Sequence, residues 1–128
     1  MIEAVNEQWE LGIGSSVRAG VEAVIAAAPG ADGVVLMLCD QPFVTRKIVA
    51  GLISARRESS CAIIASSYAG SYGVPALFNR EHFVELTALN GAVGAKNVIQ
   101  KHLAKVHLVP FPEGKIDIDT PEDLERFN

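Results

Sequence analysis

Six consecutive apolar residues, Val34-Val35-Leu36-Met37-Leu38-Cys39, run directly into Asp40-Gln41-Pro42. Preceded by Asp32-Gly33 and closed by a proline, the run predicts a strand covered on both faces, as strands of parallel sheets are when helices flank them. A carboxylate placed directly after such a strand falls at the carboxyl edge of the sheet, where open α/β folds bind their ligands. Pro42 stops the strand and restricts the backbone, so Asp40 is presented at a turn. On these grounds two roles stay open for Asp40, a turn cap and a ligand-binding acid.

A chain of 128 residues without an internal repeat suits a single domain, residues 1–128, with a sizeable core. With 49% hydrophobic and 20% charged residues the composition is that of a globular protein. The apolar runs are too short for a membrane span and the N-terminus lacks the order of a signal peptide, so a cytoplasmic protein with no membrane partner is expected. Cys39 and Cys61 both fall in apolar, strand-like runs, which suits small buried hydrophobes better than a disulfide. A net charge of −4 and only 6% aromatic residues disfavour a nucleic-acid partner.

Along the chain, Gly12-Ile13-Gly14-Ser15-Ser16 opens a helix with Val17, Val21, Val24, Ile25 and Ala28 on one face, ended by Pro29-Gly30. Glycines followed by serines at a helix start allow close approach of a ligand to backbone N–H groups, although a plain serine cap explains them too. Thr45 is placed to cap a second helix to about Arg57, with Ile48, Val49, Leu52 and Ile53 inward. Cys61 to Ala65 is a second buried strand, and the strand–helix alternation implies parallel pairing with right-handed crossovers. Ser66 to Gly73 is expected to form a loop beside Asp40, followed by a short strand Ala76-Leu77-Phe78.

Asn79 is expected to cap a helix with Phe83, Leu86 and Leu89 inward, ended by Asn90-Gly91. Gly94-Ala95-Lys96 opens another short helix through Val98, Ile99 and Leu103, and a lysine near a helix start is either solvated or answers an anion. Val106 to Phe111 is a further strand. Asp117 and Asp119 alternate along an extended segment and so point to one side. Thr120, Pro121 and Asp123 start a terminal helix. His82, His102 and His107 show no ligand spacing and are read as structural or solvated.

The order of these motifs resembles that of the MobA-like nucleotidyltransferases. It comprises a Gly-x-x-x-Ser helix start, a strand ending Cys-Asp-Gln-Pro and a Gly-x-Pro-x-x-Phe loop and strand. A Gly-x-x-Gly-Ala-Lys turn and a closing Asp-Ile-Asp-Thr-Pro-Glu-Asp complete it. Within that group the resemblance is strongest to the molybdenum cofactor cytidylyltransferases. It implies a three-layer α/β/α, Rossmann-like fold with a mostly parallel sheet, of the nucleotide-diphospho-sugar transferase type. The implied enzyme is a nucleotidyltransferase that moves a nucleoside monophosphate, CMP before GMP, from CTP or GTP to a phosphorylated acceptor such as molybdopterin, releasing pyrophosphate with Mg²⁺. The resemblance assigns Asp40 and Asp119 as catalytic and metal-binding acids, with Asp117 as a further metal candidate. It assigns Gly12, Ser15, Ser16 and Asp40 to the nucleotide, and Gly73, Pro75 and Lys96 to the acceptor.

This sequence departs from the family pattern in two places. The family's opening strand and its Leu-Ala-Ala-Gly-x-Ser-x-Arg-type triphosphate loop are absent, so the chain corresponds to the C-terminal portion of such a domain, and weak or no turnover is expected of it. Ala92 stands where the family often has an acid before the Gly-Ala-Lys turn. The competing expectation is a non-catalytic α/β module that binds a nucleotide or a protein and forms a homo-oligomer through an exposed sheet edge.

Overall fold

Apolar residues at helical spacing form the first element of the structure, a computed structural model that describes residues 13–37, 46–68, 70–89 and 93–111. Helix α1 (Ile13–Ala27) buries Val21 fully and Val17 and Val24 in part, whereas Ile25, expected inward, is 39% exposed. The chain turns at Pro29-Gly30 and enters β1 (Gly33–Leu36), which is shorter and less covered than the expected strand through Cys39: Val34 is its one buried residue, Met37 past its end is 47% exposed, and residues 38 and 39 lie outside the described residues. Helix α2 (Arg46–Ser59) follows, with Leu52 and Ala55 buried and Arg56 and Arg57 in its last turn, where cations suit the helix dipole. Ile53, also expected inward, lies on the outer face because Leu52 and Ala55, three apart, define the buried stripe.

Strands β2 (Ile63–Tyr68) and β3 (Ser71–Asn79) then form an antiparallel hairpin. This corrects the expected loop over Ser66 to Gly73. Ser66, Ser67 and Tyr68 pair with Gly73, Tyr72 and Ser71, and Gly70 takes the turn at φ +73, which glycine adopts without a Cβ penalty. The short strand expected at Ala76–Phe78 is the second half of the nine-residue β3. Between Ala65 and Ser66 the register shifts, and β3 advances past Val74 and Pro75. Pro75 has no N–H to offer a ladder, and its carbonyl instead accepts a 2.6 Å hydrogen bond from the buried Ser66 hydroxyl.

A 3₁₀ turn (Arg80–His82) leads into the short helix α3 (Phe83–Thr87), and α4 (Ala95–Lys101) is followed by a second 3₁₀ turn (Leu103–Lys105) and β4 (Val106–Pro110). The Asn79 side chain makes no capping hydrogen bond; its Oδ1 is buried without a partner among the described residues. Phe83, Leu86 and Leu89 are buried as expected, while Leu103 is exposed.

The sheet order is β1-β3-β2-β4. Strands β1, β2 and β4 point the same way, and β3 is inserted antiparallel between β1 and β2. Pleating sends alternate residues to opposite faces and so creates two cores. Val34, Ile63, Ala65, Ala76 and Phe78 pack under α1, α3 and α4. Leu77 and Ile64, with Val35 and Val109, pack under α2. The result is a three-layer α/β/α arrangement. Among the described residues no helix is long and apolar enough to cross a membrane.

The second core is the smaller, and Leu52 is its fully buried contribution from α2. Leu52→Ala is expected to destabilise the fold by about 2–5 kcal/mol, read as a lower urea midpoint with an unchanged denaturant slope.

Candidate functional site

Where β1 ends, the chain opens a cleft of about 490 Å³ that α1, the β2–β3 hairpin and α4 enclose. Leu36 and Met37 reach it from the end of β1, Ser16 and Val17 from the first turns of α1, Tyr72, Gly73 and Val74 from β3, and Lys96 from α4. Its walls are largely apolar, and Lys96 is the one charged side chain among the described residues that line it. The Lys96 ammonium donates to the Ser71 hydroxyl at 3.1 Å and lies 5.4 Å from the centre of the Tyr72 ring. Hydroxyl and π-face together hold a positive charge at the rim. A volume of this size with apolar walls and a single fixed cation suits a ring-bearing anion.

Tyr68 and Gly73 shape the floor. The Tyr68 hydroxyl donates to the Val74 carbonyl at 3.2 Å. A Cβ at Gly73 would lie 2.6 Å from that hydroxyl, so the absence of a side chain at 73 permits the contact. No bend of the backbone is needed to explain this glycine.

Of the residues expected at a site, Ser16, Gly73 and Lys96, far apart in sequence, come together at this cleft. Ser15 is buried in the first turn of α1, and Pro75 is buried at the hairpin irregularity; neither lines the cleft. Ser15 and Ser16 are helical residues, not members of a loop before the helix. Gly12, Asp40, Asp117 and Asp119 lie outside the described residues.

A second polar cluster was not expected. His82, from the 3₁₀ turn after β3, and His102, just after α4, meet at Glu85 of α3. Glu85 Oε1 lies 3.0 Å from His82 Nδ1 and 2.8 Å from His102 Nε2, and Oε2 lies 3.0 Å from His102 Nε2. The two imidazole rings are 4.9 Å apart and tilted by 59°. Lys101 stands 3.7 Å from Glu85 Oε2. Burial pushes the Glu85 carboxyl upward, but the hydrogen bonds from His82 and His102 and the charges of His102 and Lys101 outweigh it and hold the group below its ordinary value. The His82–Glu85 spacing of three was the signal available in the sequence; His102 reaches the pair only through the packing of α3 and α4.

A three-layer α/β domain with its cleft at the end of a strand defines a class that takes small ligands at the sheet edge. Residues 3–106 match the model of the MobA-like NTP transferase domain, and the chain belongs to that family. It is 33% identical over 124 residues to the purine catabolism protein PucB of Bacillus subtilis (strain 168), covering 94% of this chain and 58% of PucB. The crystal structure of a homologue of Mycobacterium tuberculosis Rv0371c, from Mycobacterium sp. strain JC1, superimposes with a TM-score of 0.69 at 33% identity, over 88% of this chain and 55% of that one. Rv0371c of Mycobacterium tuberculosis H37Rv in complex with manganese gives a TM-score of 0.64 at 29% identity, over 91% of this chain and 60% of that one. The chain thus spans somewhat more than half the length of the relatives it matches.

Two outcomes are expected. Gly73→Ala should displace the Tyr68 ring and cost about 0.5–1.5 kcal/mol as the hydrogen bond to Val74 is lost, seen in denaturation midpoints and in shifted Tyr68 ring signals by NMR. Glu85 binds protons less readily in the folded state than its ordinary value of 4.5 implies, so its stabilising contribution is present above that pH and lost as pH falls through the folded value. Glu85→Gln should therefore lower stability near neutral pH and flatten the acid limb of the stability–pH curve below about 4.5.

Proposed function

We propose that this chain forms the base and acceptor side of a nucleotidyl-transfer site in a Mg²⁺-dependent cytoplasmic nucleotidyltransferase. The enzyme moves CMP, in preference to GMP, from the nucleoside triphosphate to a phosphorylated acceptor of the molybdopterin kind. The observation that carries this reading is the convergence of Ser16, Gly73 and Lys96 on one cleft, at the end of the strand that runs toward Asp40. An acceptor phosphate oxygen attacks the α-phosphorus, the bond to the bridging oxygen breaks, and pyrophosphate leaves. Such a transfer needs little covalent help from protein; it needs an aligned oxygen and compensation of negative charge.

In this reading Lys96, held by Ser71 and faced by Tyr72, binds the acceptor phosphate. Apolar walls from Val17, Leu36 and Met37 receive a ring, and Ser16 lies at the positive end of α1. Among the described residues the cleft presents no carboxylate. By the family resemblance, Asp40 and Asp119, with Asp117 as a further candidate, would supply the oxygen donors that Mg²⁺ takes, and the ion would neutralise charge at the phosphates. The manganese complex of Rv0371c lends support to a divalent ion in a protein of this fold. A second reading, a binding module that self-associates, draws support from β1, an edge strand among the described residues.

Calorimetric titration with CTP and with GTP, with and without Mg²⁺, separates these readings. Metal-dependent binding, tighter for CTP and abolished in Asp40→Ala, is the expected result. Lys96→Ala should weaken binding of a phosphorylated pterin acceptor by about 10- to 100-fold, the loss of one charge-assisted hydrogen bond. Equal binding by wild type and Asp40→Ala would overturn the metal assignment. No nucleotide binding, together with a dimer in sedimentation, would favour the module.

A further inference from the structure

The cluster of His82, Glu85 and His102 has no part in the cleft. The cleft takes its hairpin residues from the Tyr68 and Ser71 ends of β2 and β3. The cluster lies beyond the opposite end of β3, after Asn79, and the two share no lining residue. His82 and Glu85 come from one continuous stretch, the 3₁₀ turn that runs into α3, and His102 comes from the end of α4, which the fold packs against it.

We propose that His82, Glu85 and His102 bind one divalent transition-metal ion, zinc in preference to magnesium, which ties the end of α4 to α3. Three features support this. The donor atoms of the three residues all lie within 4.8 Å of one another. Tetrahedral zinc with bonds of about 2.0–2.1 Å separates its ligands by about 3.3 Å. The Glu85–His separations of 2.8–3.0 Å need to open by a few tenths of an ångström, and the two imidazole nitrogens, no more than 4.8 Å apart, need to draw in. Second, two imidazoles and one carboxylate are the donor set of zinc, cobalt and nickel, whereas magnesium prefers oxygen throughout.

Third, the cluster is half sheltered and open on one side. His82 is 9% exposed, and both histidines line a second cavity of about 480 Å³, with Cys61, Glu81 and Lys105 on its walls. With two of the three ligands, His82 and His102, on the wall of this cavity, a fourth position on the ion is reachable by water or an added ligand. On metal binding His82 Nδ1 and His102 Nε2 give their lone pairs to the ion, so each ring carries its proton on the other nitrogen. Any proton in excess of one per ring is released to solvent. Lys101, whose side chain is 70% exposed, swings into water.

The test uses Co²⁺ as a visible probe and Zn²⁺ for stability, on the full chain carrying Asp40→Ala, Asp117→Ala and Asp119→Ala so that the acids assigned to Mg²⁺ are absent. The expected result is one equivalent of Co²⁺ with d–d absorption of a four-coordinate site, displaced by Zn²⁺ and not by Mg²⁺, with a rise in Tm on adding Zn²⁺. His102→Gln and the near-isosteric Glu85→Gln, each checked for native circular dichroism, should lose more than about 100-fold in Zn²⁺ affinity, beyond the 10- to 100-fold that loss of an outer hydrogen-bond partner costs. His82→Gln should do the same. Absence of the absorption band and of the Tm rise in the parent chain would overturn the proposal. So would Zn²⁺ binding of undiminished affinity in the folded variants.

Discussion

Over Ala76, Leu77 and Phe78, β3 is hydrogen-bonded to β1 along one edge and to β2 along the other, and the rest of the structure depends on that double pairing. The alternation of the strand sends Ala76 and Phe78 into the core beneath α1, α3 and α4, and Leu77 into the core beneath α2. A slip of one residue in either ladder would exchange the two faces, so both cores fix the register at once. Phe78 is fully buried, and its partners Val34 and Ile63 stand on either side of it on the same face. Because β3 runs against its neighbours, the hairpin end and the β1 end reach the same edge of the sheet, and the cleft forms there.

The cleft and the histidine cluster differ in chemistry as well as place. In the cleft Lys96, the one charged group among the described lining residues, is set among apolar walls, with a hydroxyl and an aromatic face to hold its ammonium group. At the cluster a carboxylate is met by two imidazoles and partly withdrawn from water. The first arrangement favours an anion with an apolar ring; the second favours a cation with affinity for nitrogen. Helix α4 touches both, with Lys96 in its first turn and His102 just past its last residue. Seven residues at 1.5 Å each separate the two chemistries by roughly 10 Å of helix.

Much of the scaffold was legible because burial leaves a periodic trace. Val17, Val21 and Val24 mark α1, Leu52 marks α2, and Val34 to Leu36 mark β1, each through apolar spacing that the structure uses. The segment Ser66 to Gly73 was not legible. Its serines, tyrosines and glycines have the composition of a loop, and they form strands because each finds a cross-strand partner. The Ile25 and Ile53 assignments failed for a related reason: a wide apolar stripe does not reveal which margin meets the sheet. At the site, single residues such as Lys96 and Gly73 could be named, but their shared cleft depends on the hairpin that the composition concealed. His82 and His102 converge only once α3 and α4 are packed together, which no spacing along the chain encodes.

The pairing pattern also bears on how the chain finds its fold. Among the described ladders only β2 with β3 joins residues close in sequence, since Tyr68 pairs with Ser71. Gly33 must find Asn79, and Ile63 must find Val106, each across roughly forty residues of intervening chain. Closing those loops costs entropy before any contact repays it, so the hairpin is expected to form early and to serve as the template on which β1 and β4 are later laid. The search for the outer strands, and not the stability of the hairpin, then sets the pace of assembly.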